Sequence, residues 1–102
     1  MNVKLSPDFY RLYKKANVRI QIEIDRKLRI FKKDPSNSEL KNHELHNEYE
    51  GLRSINITSD HRAIYEEIIE DKDKKTAYFH FFGTHKELYE TEEFKIKVKV
   101  KK

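Results

Sequence analysis

The sequence predicts an α+β domain in which two helical segments precede a set of β-strands. Two patterns carry this prediction: apolar residues recur at helical spacing up to residue 33, and from residue 51 onward they alternate with polar residues in runs separated by turn signals. With 102 residues, the chain can form one sheet with helices on one face and is too short for two cores. We therefore expect a single domain spanning residues 1–102.

Composition limits the functions that this chain can have. Charged residues make up 39% of the chain and the net charge is +4, which suits a polyanionic partner, either nucleic acid or an acidic protein. A basic soluble protein without such a partner is the alternative. The absence of cysteine excludes disulfides and thiolate metal sites. No hydrophobic span, signal peptide or lipidation motif is present, so we expect a cytoplasmic protein that does not bind membranes.

The first elements follow from capping residues and periodicity. Residues 3–5 form a short strand candidate. Ser6 can cap a helix, Pro7 fits its first position and Asp8 complements its dipole, so a helix is predicted to begin there and to end near Asn17. Its apolar face carries Phe9, Leu12, Tyr13 and Ala16.

Residues 18–33 fit two kinds of secondary structure. The apolar alternation over residues 18–24 is typical of a strand, whereas a helical stripe is formed by Ile20, Ile24, Leu28 and Phe31. A helix is favoured because Glu23 and Lys27 form an acid-before-base pair four residues apart, and because no turn signal interrupts the segment. The sequence therefore predicts a second helix.

A loop and a hairpin come next. Ser36 and Glu39 have the spacing of a capping box, which predicts one helical turn ahead of residues 41–45. Residues 51–65 read as an antiparallel hairpin that presents Asp60, His61 and Arg62 at or just past its turn. A third strand over residues 76–82 follows the charged turn 71–75, and glycines stand at the ends of these strands, Gly51 before the hairpin and Gly83 after the third strand.

The C-terminal residues 90–102 form a basic extension. Within it, residues 94–102 alternate lysine with apolar residues, which predicts an extra strand with a cationic face. Its lysines can protect a sheet edge from aggregation or contact RNA phosphates, and the sequence leaves both readings open.

Four blocks of sequence, taken together and in this order, resemble the RelE/YafQ-type toxins of bacterial type II toxin–antitoxin modules. They are Lys-x-His-x-Leu at 41–45, Gly-Leu-Arg-Ser-Ile at 51–55, Asp-x-Arg-Ala-Ile-Tyr at 60–65 and Gly-Thr-His-x-x-Leu-Tyr at 83–89. The resemblance implies a small antiparallel β-sheet packed against two N-terminal helices. It also implies an endoribonuclease that cuts messenger RNA on the ribosome and is inhibited by a cognate antitoxin, with no metal, cofactor or small-molecule ligand.

The resemblance assigns catalysis to four side chains. Metal-free RNA cleavage requires deprotonation of a 2'-hydroxyl, stabilisation of the charged phosphorane and protonation of the leaving 5'-oxygen. Imidazole suits both proton transfers, and a guanidinium suits the phosphorane. The positions that match the family are His43, Asp60, Arg62 and His85. Their roles as base and acid stay open at this point, and a surface histidine or a turn aspartate needs no function to explain it.

Four further residues are candidate RNA ligands: Arg53, Asn56, His61 and Tyr89. His61 can stack on a base, as the aromatic residue at that position of YafQ-like toxins would. Tyr89 matches an aromatic residue that lines the site in the family, and a core position is the equal alternative for it.

The chain departs from the family pattern at two positions. Asn56 replaces a histidine of YafQ-like toxins, and Phe81 replaces an arginine, a charge that Arg62 on the neighbouring strand is expected to supply. Two alternatives to a nuclease therefore stay open, a ParE-like gyrase inhibitor and a catalytically inactive binding protein of the same fold. His43 and His85 argue against the gyrase inhibitor, which needs no acid–base groups.

Overall fold

The computed structural model describes residues 1–71 and 73–89, with the side chains of Glu48 and Tyr89 left out. Five strands and three helices follow one another, with short 3-10 turns at Ser38–Leu40 and Asn47–Tyr49. In chain order the elements are β1 (Asn2–Leu5), α1 (Pro7–Lys15), α2 (Val18–Lys33), β2 (His43–Glu44), β3 (Arg53–Asn56), β4 (His61–Asp71), β5 (Lys74–Thr84) and α3 (His85–Tyr89).

The strands form one sheet in the order β1-β5-β4-β3-β2. The pairs β2/β3, β3/β4 and β4/β5 are antiparallel, so the predicted hairpin and third strand are confirmed. Strand β1 instead lies parallel to β5, and the chain passes directly from β1 to α1 on the helix-covered face. The α+β class, with two N-terminal helices on a small sheet, is confirmed, and the sheet is mixed rather than wholly antiparallel.

Ser6 fixes the start of α1 to the centre of the sheet. Its hydroxyl accepts a hydrogen bond from the Phe9 N–H at 2.9 Å and donates one to the His80 carbonyl at 2.8 Å, and Pro7 takes the first helical position as predicted. Asn17 then caps α2 by accepting from the Ile20 N–H at 3.0 Å. Both helices are therefore confirmed, and one short break separates them.

The main core lies between these two helices and the sheet. It contains Phe9 of α1, Ile24 and Phe31 of α2 and the inward residues of β3, β4 and β5, among them Phe79. Lys27 of α2 is also buried, and its ammonium donates to the Ile57 carbonyl at 2.8 Å while Glu23 lies 3.7 Å away. A helix side chain therefore holds the end of β3, directly before the hairpin loop.

A third helix, which we did not predict, covers the other face of the sheet. Leu88 of α3 packs in a second cluster with Leu52 and Ile64. A reciprocal capping box begins the helix: the Glu87 N–H donates to Thr84 Oγ1 at 3.2 Å, and Glu87 Oε1 accepts from the Thr84 N–H at 2.8 Å. The Thr-x-x-Glu spacing ahead of Leu88 was the signal in the sequence that could have predicted it.

The predicted capping role of Ser36 is wrong. The turn at Ser38–Leu40 is capped by Asn37, whose side-chain oxygen accepts from the Glu39 N–H at 2.9 Å. Ser36 is drawn away because its hydroxyl and its N–H both donate to the carboxylate of Asp34, at 2.9 and 3.1 Å. The predicted basic strand at 94–102 and the extension 90–102 lie outside the described residues.

Gly51 and Gly83 occupy positions that favour glycine for different structural reasons. Gly51 has φ +94°, a conformation that side chains disfavour. At Gly83 a side chain would be crowded, because a Cβ there would lie 3.1 Å from Glu87 Oε1, the atom that caps α3. The glycine at position 83 therefore allows α3 to pack closely on the end of β5.

Replacing Ser6 by alanine is expected to destabilise the protein by about 2 kcal/mol, since it removes a helix cap and leaves the His80 carbonyl without its side-chain donor. Urea unfolding followed by circular dichroism measures the change. Ser38→Ala is the control, because Ser38 is exposed, and we expect a change below about 0.5 kcal/mol. Equal stability of Ser6→Ala and the wild type would contradict this account.

Candidate active site

The strand register collects several of the predicted residues on the sheet face opposite α1 and α2. Directly paired residues point to the same side of a sheet. His43, Ser54, Ile64 and Phe81 form one cross-strand row, and Asn56, Arg62 and Gly83 form the next. We call this surface, which carries His43, Asn56, Arg62 and Phe81, the site face. The departures from the family pattern at Asn56 and Phe81 therefore lie beside the proposed catalytic residues.

His43 lies on the edge strand β2 with a defined orientation. Its Nδ1 atom is 3.0 Å from the carbonyl oxygen of Lys41, a residue with φ 47°. A carbonyl can only accept, so Nδ1 carries the hydrogen of the neutral ring and Nε2 carries the lone pair. The exposed imidazole therefore presents a basic nitrogen to its surroundings.

Arg62 organises the hairpin loop that carries Asp60. Its Nη1 atom donates to the carbonyls of Thr58, Ser59 and His61 at 3.0, 3.0 and 3.1 Å. Among the residues that the structure describes, no carboxylate lies within ion-pair distance of this guanidinium. Arg62 thus stiffens the loop, and its positive charge is not paired with any acid of residues 1–71 and 73–89.

Thr58 completes the loop from its other end. Its hydroxyl accepts from the N–H groups of Asp60 and His61 at 3.2 and 3.0 Å and lies 3.1 Å from His61 Nδ1. The exposed carboxylate of Asp60 is therefore displayed on a loop whose backbone is tied down at both ends. That arrangement lowers the entropic cost of using Asp60 at a reacting group.

His85 stands at the first position of α3, two residues beyond Gly83, which pairs with Arg62. The capping box around it fixes where its Cα lies relative to β5. Strands β2 and β5 are three spacings apart, about 14 Å. Helix α3, which begins at His85, packs through Leu88 on the sheet face that carries His43, so both histidines belong to elements on that side of the sheet.

Two predicted RNA ligands lie elsewhere. Arg53 and His61 alternate with the site-face residues, and they pair with Tyr65 and Thr84 on the helix-covered side. Arg53 is held by its Nε–H donating to Asn42 Oδ1 at 2.9 Å and by Glu44 at 3.4 Å. Neither residue shares a surface with His43, and the side chain of Tyr89 is outside the described part of the structure.

A β-bulge adds a residue that the sequence did not single out. The β4/β5 register passes from Ile64–Phe81 to Tyr65–Phe79, which leaves His80 as the extra residue. His80 is buried, with Nε2 3.0 Å from Glu66 Oε1 and its ring 4.7 Å from that of Tyr78. A histidine inside an apolar run was the only hint, and nothing in the sequence located the bulge.

Two further properties concern the described residues 1–71 and 73–89. They contain no group of three histidine, aspartate or glutamate side chains that could hold a metal ion. No helix among them combines the length and apolar character that a membrane span requires.

This chain matches known proteins by structure and not by sequence. No family model and no curated protein sequence matches this chain. Among solved structures, YafQ from E. coli strain BL21(DE3) is similar with a TM-score of 0.68 and 22% identity over 86% of this chain and 97% of that one. A YoeB/ParE toxin from Agrobacterium tumefaciens gives 0.67 and 19%, over 83% of this chain and 99% of that one. The chain has the fold of these toxins.

The RelE/YafQ-like toxin fold is also found in a complex. The RelBE2 toxin–antitoxin complex from Mycobacterium tuberculosis matches with a TM-score of 0.65 and 16% identity, over 82% of this chain and 96% of that one. The structural match to these three toxins covers 82% to 86% of this chain. At these identities it establishes the scaffold, and the activity has to be argued from the site face.

Ser54 gives a stability test of the site face. Its hydroxyl is fully buried beside His43 and, within the described residues, has no hydrogen-bond partner. Ser54→Ala removes the cost of burying an unpaired hydroxyl, so we expect the free energy of unfolding to rise by about 1 kcal/mol. Ser6→Ala serves as the comparison, because it removes a buried hydroxyl that is paired and is therefore expected to lower the free energy of unfolding. A loss of stability in Ser54→Ala, measured by urea unfolding, would show that the hydroxyl is paired after all.

Proposed function

We propose that this protein is the toxin of a type II toxin–antitoxin module and cleaves messenger RNA on the ribosome, without a metal or cofactor. The observation that carries the proposal is the shared orientation of His43, Asn56 and Arg62 on the site face, with His85 at its border, in a chain with the RelE/YafQ-like fold. The net charge of +4 supports binding to an RNA backbone.

The proposed reaction is an attack of the ribose 2'-oxygen on the adjacent phosphorus. A 2'-oxygen–phosphorus bond forms, the bond to the 5'-oxygen breaks, and the products carry a 2',3'-cyclic phosphate and a 5'-hydroxyl. The Nε2 lone pair of His43 suits the removal of the 2'-hydroxyl proton, and a protonated His85 suits its delivery to the 5'-oxygen. Asp60, on the loop that Arg62 braces, is proposed to act as a base or to orient a histidine.

Arg62 is proposed to stabilise the phosphorane. One of its nitrogens is used by the loop carbonyls, and the rest of the guanidinium offers donors in a fixed orientation. This arrangement supports the view that Arg62 replaces the arginine that Phe81 displaces.

The partners of the protein are proposals of the same kind. The RelBE2 structure is a toxin–antitoxin complex, which supports a cognate antitoxin for this chain. A ribosome carrying messenger RNA is the proposed target, and the cytoplasm is accordingly the proposed location.

Expression of this chain alone in bacteria, followed by mapping of messenger 5' ends, tests the proposal. We expect growth arrest with new 5' ends in phase with codons, because the ribosome would present the message to the enzyme in fixed register. Arrest with DNA damage and intact messages would instead identify a gyrase inhibitor. Normal growth at verified expression would identify an inactive protein of this fold.

Variants of the site face test the residue roles. His85→Gln and Arg62→Ala are each expected to lower messenger cleavage about a hundredfold or more, since they remove a proton donor and the charge on the phosphorane. His46→Gln is the matched control, because His46 is exposed and its side chain caps nothing. Circular dichroism confirms the fold of each variant. Wild-type cleavage by either folded site variant would remove that residue from the mechanism.

A further inference from the structure

A second concave site lies on the other side of the sheet from His43. It is a cavity of about 420 Å³ between the loop at residues 35–42 and strands β3 and β4. Its lining includes Lys41, Asn42, Arg53, Tyr65 and Glu67. Asn42 and His43 are consecutive residues, and Arg53 and Tyr65 form a cross-strand pair on the helix-covered face. The cavity therefore shares a strand edge with the site face but opens on a different surface.

The hydrogen bonds of Asn42 determine the orientation of its amide. The Arg53 Nε–H donates at 2.9 Å, and a guanidinium cannot accept, so the atom that faces Arg53 must be the oxygen of Asn42. The amide nitrogen then points to the Pro35 carbonyl at 3.0 Å and to the Tyr65 hydroxyl at 2.7 Å. Both of its hydrogens are used.

The Tyr65 oxygen consequently acts as an acceptor, and its own hydrogen needs another partner. Asn42 only donates to it, and no acceptor for its hydrogen is found among the described residues. Tyr65 is 1% exposed as a whole residue and lies on the lining of the cavity, so its hydroxyl is accessible from the cavity alone. Burial raises the pKa of Tyr65 above its ordinary value of 10, against the opposing effects of Asn42 and Arg53, so the hydroxyl keeps its hydrogen at neutral pH, as an ordinary tyrosine does. A buried donor is thus left on the wall of the cavity.

The charges around the cavity indicate which ligand fits. Lys41 and Arg53 supply two cations to the lining of the cavity. Glu44, which lies 3.4 Å from Arg53, has a side chain that is 70% exposed, so solvent screens much of its effect. Glu67 is the acid on the lining, and a carboxylate readily accepts from a sugar hydroxyl. The volume lies in the range of small-molecule sites.

We propose that this cavity binds a mononucleotide, with its phosphate on Lys41, Arg53 and the Tyr65 hydroxyl and a ribose hydroxyl on Glu67. The ligand completes the hydrogen bonding of Tyr65 and neutralises the two cations. The proposal does not depend on the nuclease function, because none of these residues lies on the site face. It differs from the sequence-based expectation that the protein has no small-molecule ligand.

Titration of the ¹⁵N-labelled protein with adenosine 5'-monophosphate, inorganic phosphate and adenosine, followed by NMR, tests the proposal. We expect saturable shifts of the amides of residues 41, 42, 53 and 65, with the nucleotide binding more tightly than phosphate and adenosine binding at least about tenfold more weakly than the nucleotide. Absence of saturable shifts with the nucleotide would overturn the site. Equal affinities for nucleotide and phosphate would overturn mononucleotide recognition, and equal affinities for nucleotide and adenosine would overturn phosphate recognition.

Two variants assign the contacts. Tyr65→Phe removes only the hydroxyl and is expected to weaken nucleotide binding about tenfold. Tyr13→Phe is the matched control, because it removes a hydroxyl that donates to Asp25 on the protein surface. Lys41→Ala, at an exposed position, is expected to weaken binding without affecting folding, whereas Lys15→Ala on α1 leaves it unchanged. Wild-type affinity in folded Tyr65→Phe and in Lys41→Ala would refute the assignment.

Discussion

The packing of Phe79 is the constraint on which the rest of the structure depends. Its ring centroid lies 5.8 Å from that of Phe9 in α1, 5.3 Å from that of Phe31 in α2 and 5.0 Å from that of Tyr65 in β4. One side chain therefore joins both long helices to the two central strands. Edge-to-face aromatic pairs add about 1 kcal/mol each to the gain from burial. Because the chain is strongly charged and its core is small, few other residues could replace the stabilisation that Phe79 contributes.

The bulge at His80 allows two aromatic residues of β5 to point to the same face of the sheet. Phe79 and Phe82 both contact Phe9, with Phe82 at 5.0 Å, although residues three apart on a regular strand face opposite sides. The extra residue allows both rings to enter the main core. It also shifts the register so that Gly83, instead of Phe82, lies opposite Arg62. The identity of the residue opposite the guanidinium is thus decided by core packing on the other face.

Local signals in the sequence predicted the elements, and long-range packing decided the rest. Ser6-Pro7 marked α1, and the acid–base spacing in residues 18–33 correctly favoured a helix over a strand, because both signals act within a few residues. The bulge could not be predicted, since it depends on which aromatic rings reach Phe9. The side of the sheet on which Arg53 lies could not be predicted either. The alternation of strand residues was visible in the sequence, but the sequence did not show which of the two sheet faces α1 and α2 would cover.

The loop that carries Asp60 is held in position by two cationic side chains, one of which is buried in the core. Burying an ammonium group costs several kcal/mol unless it is well paired, and Lys27 offsets this cost with the Ile57 carbonyl and Glu23. That carbonyl belongs to the residue before Thr58, where the loop that carries Asp60 begins. Arg62 then binds the loop carbonyls from the opposite side. Two cations, one from the core and one from the site face, therefore hold the loop between them, and its shape is determined by α2 as much as by the hairpin itself.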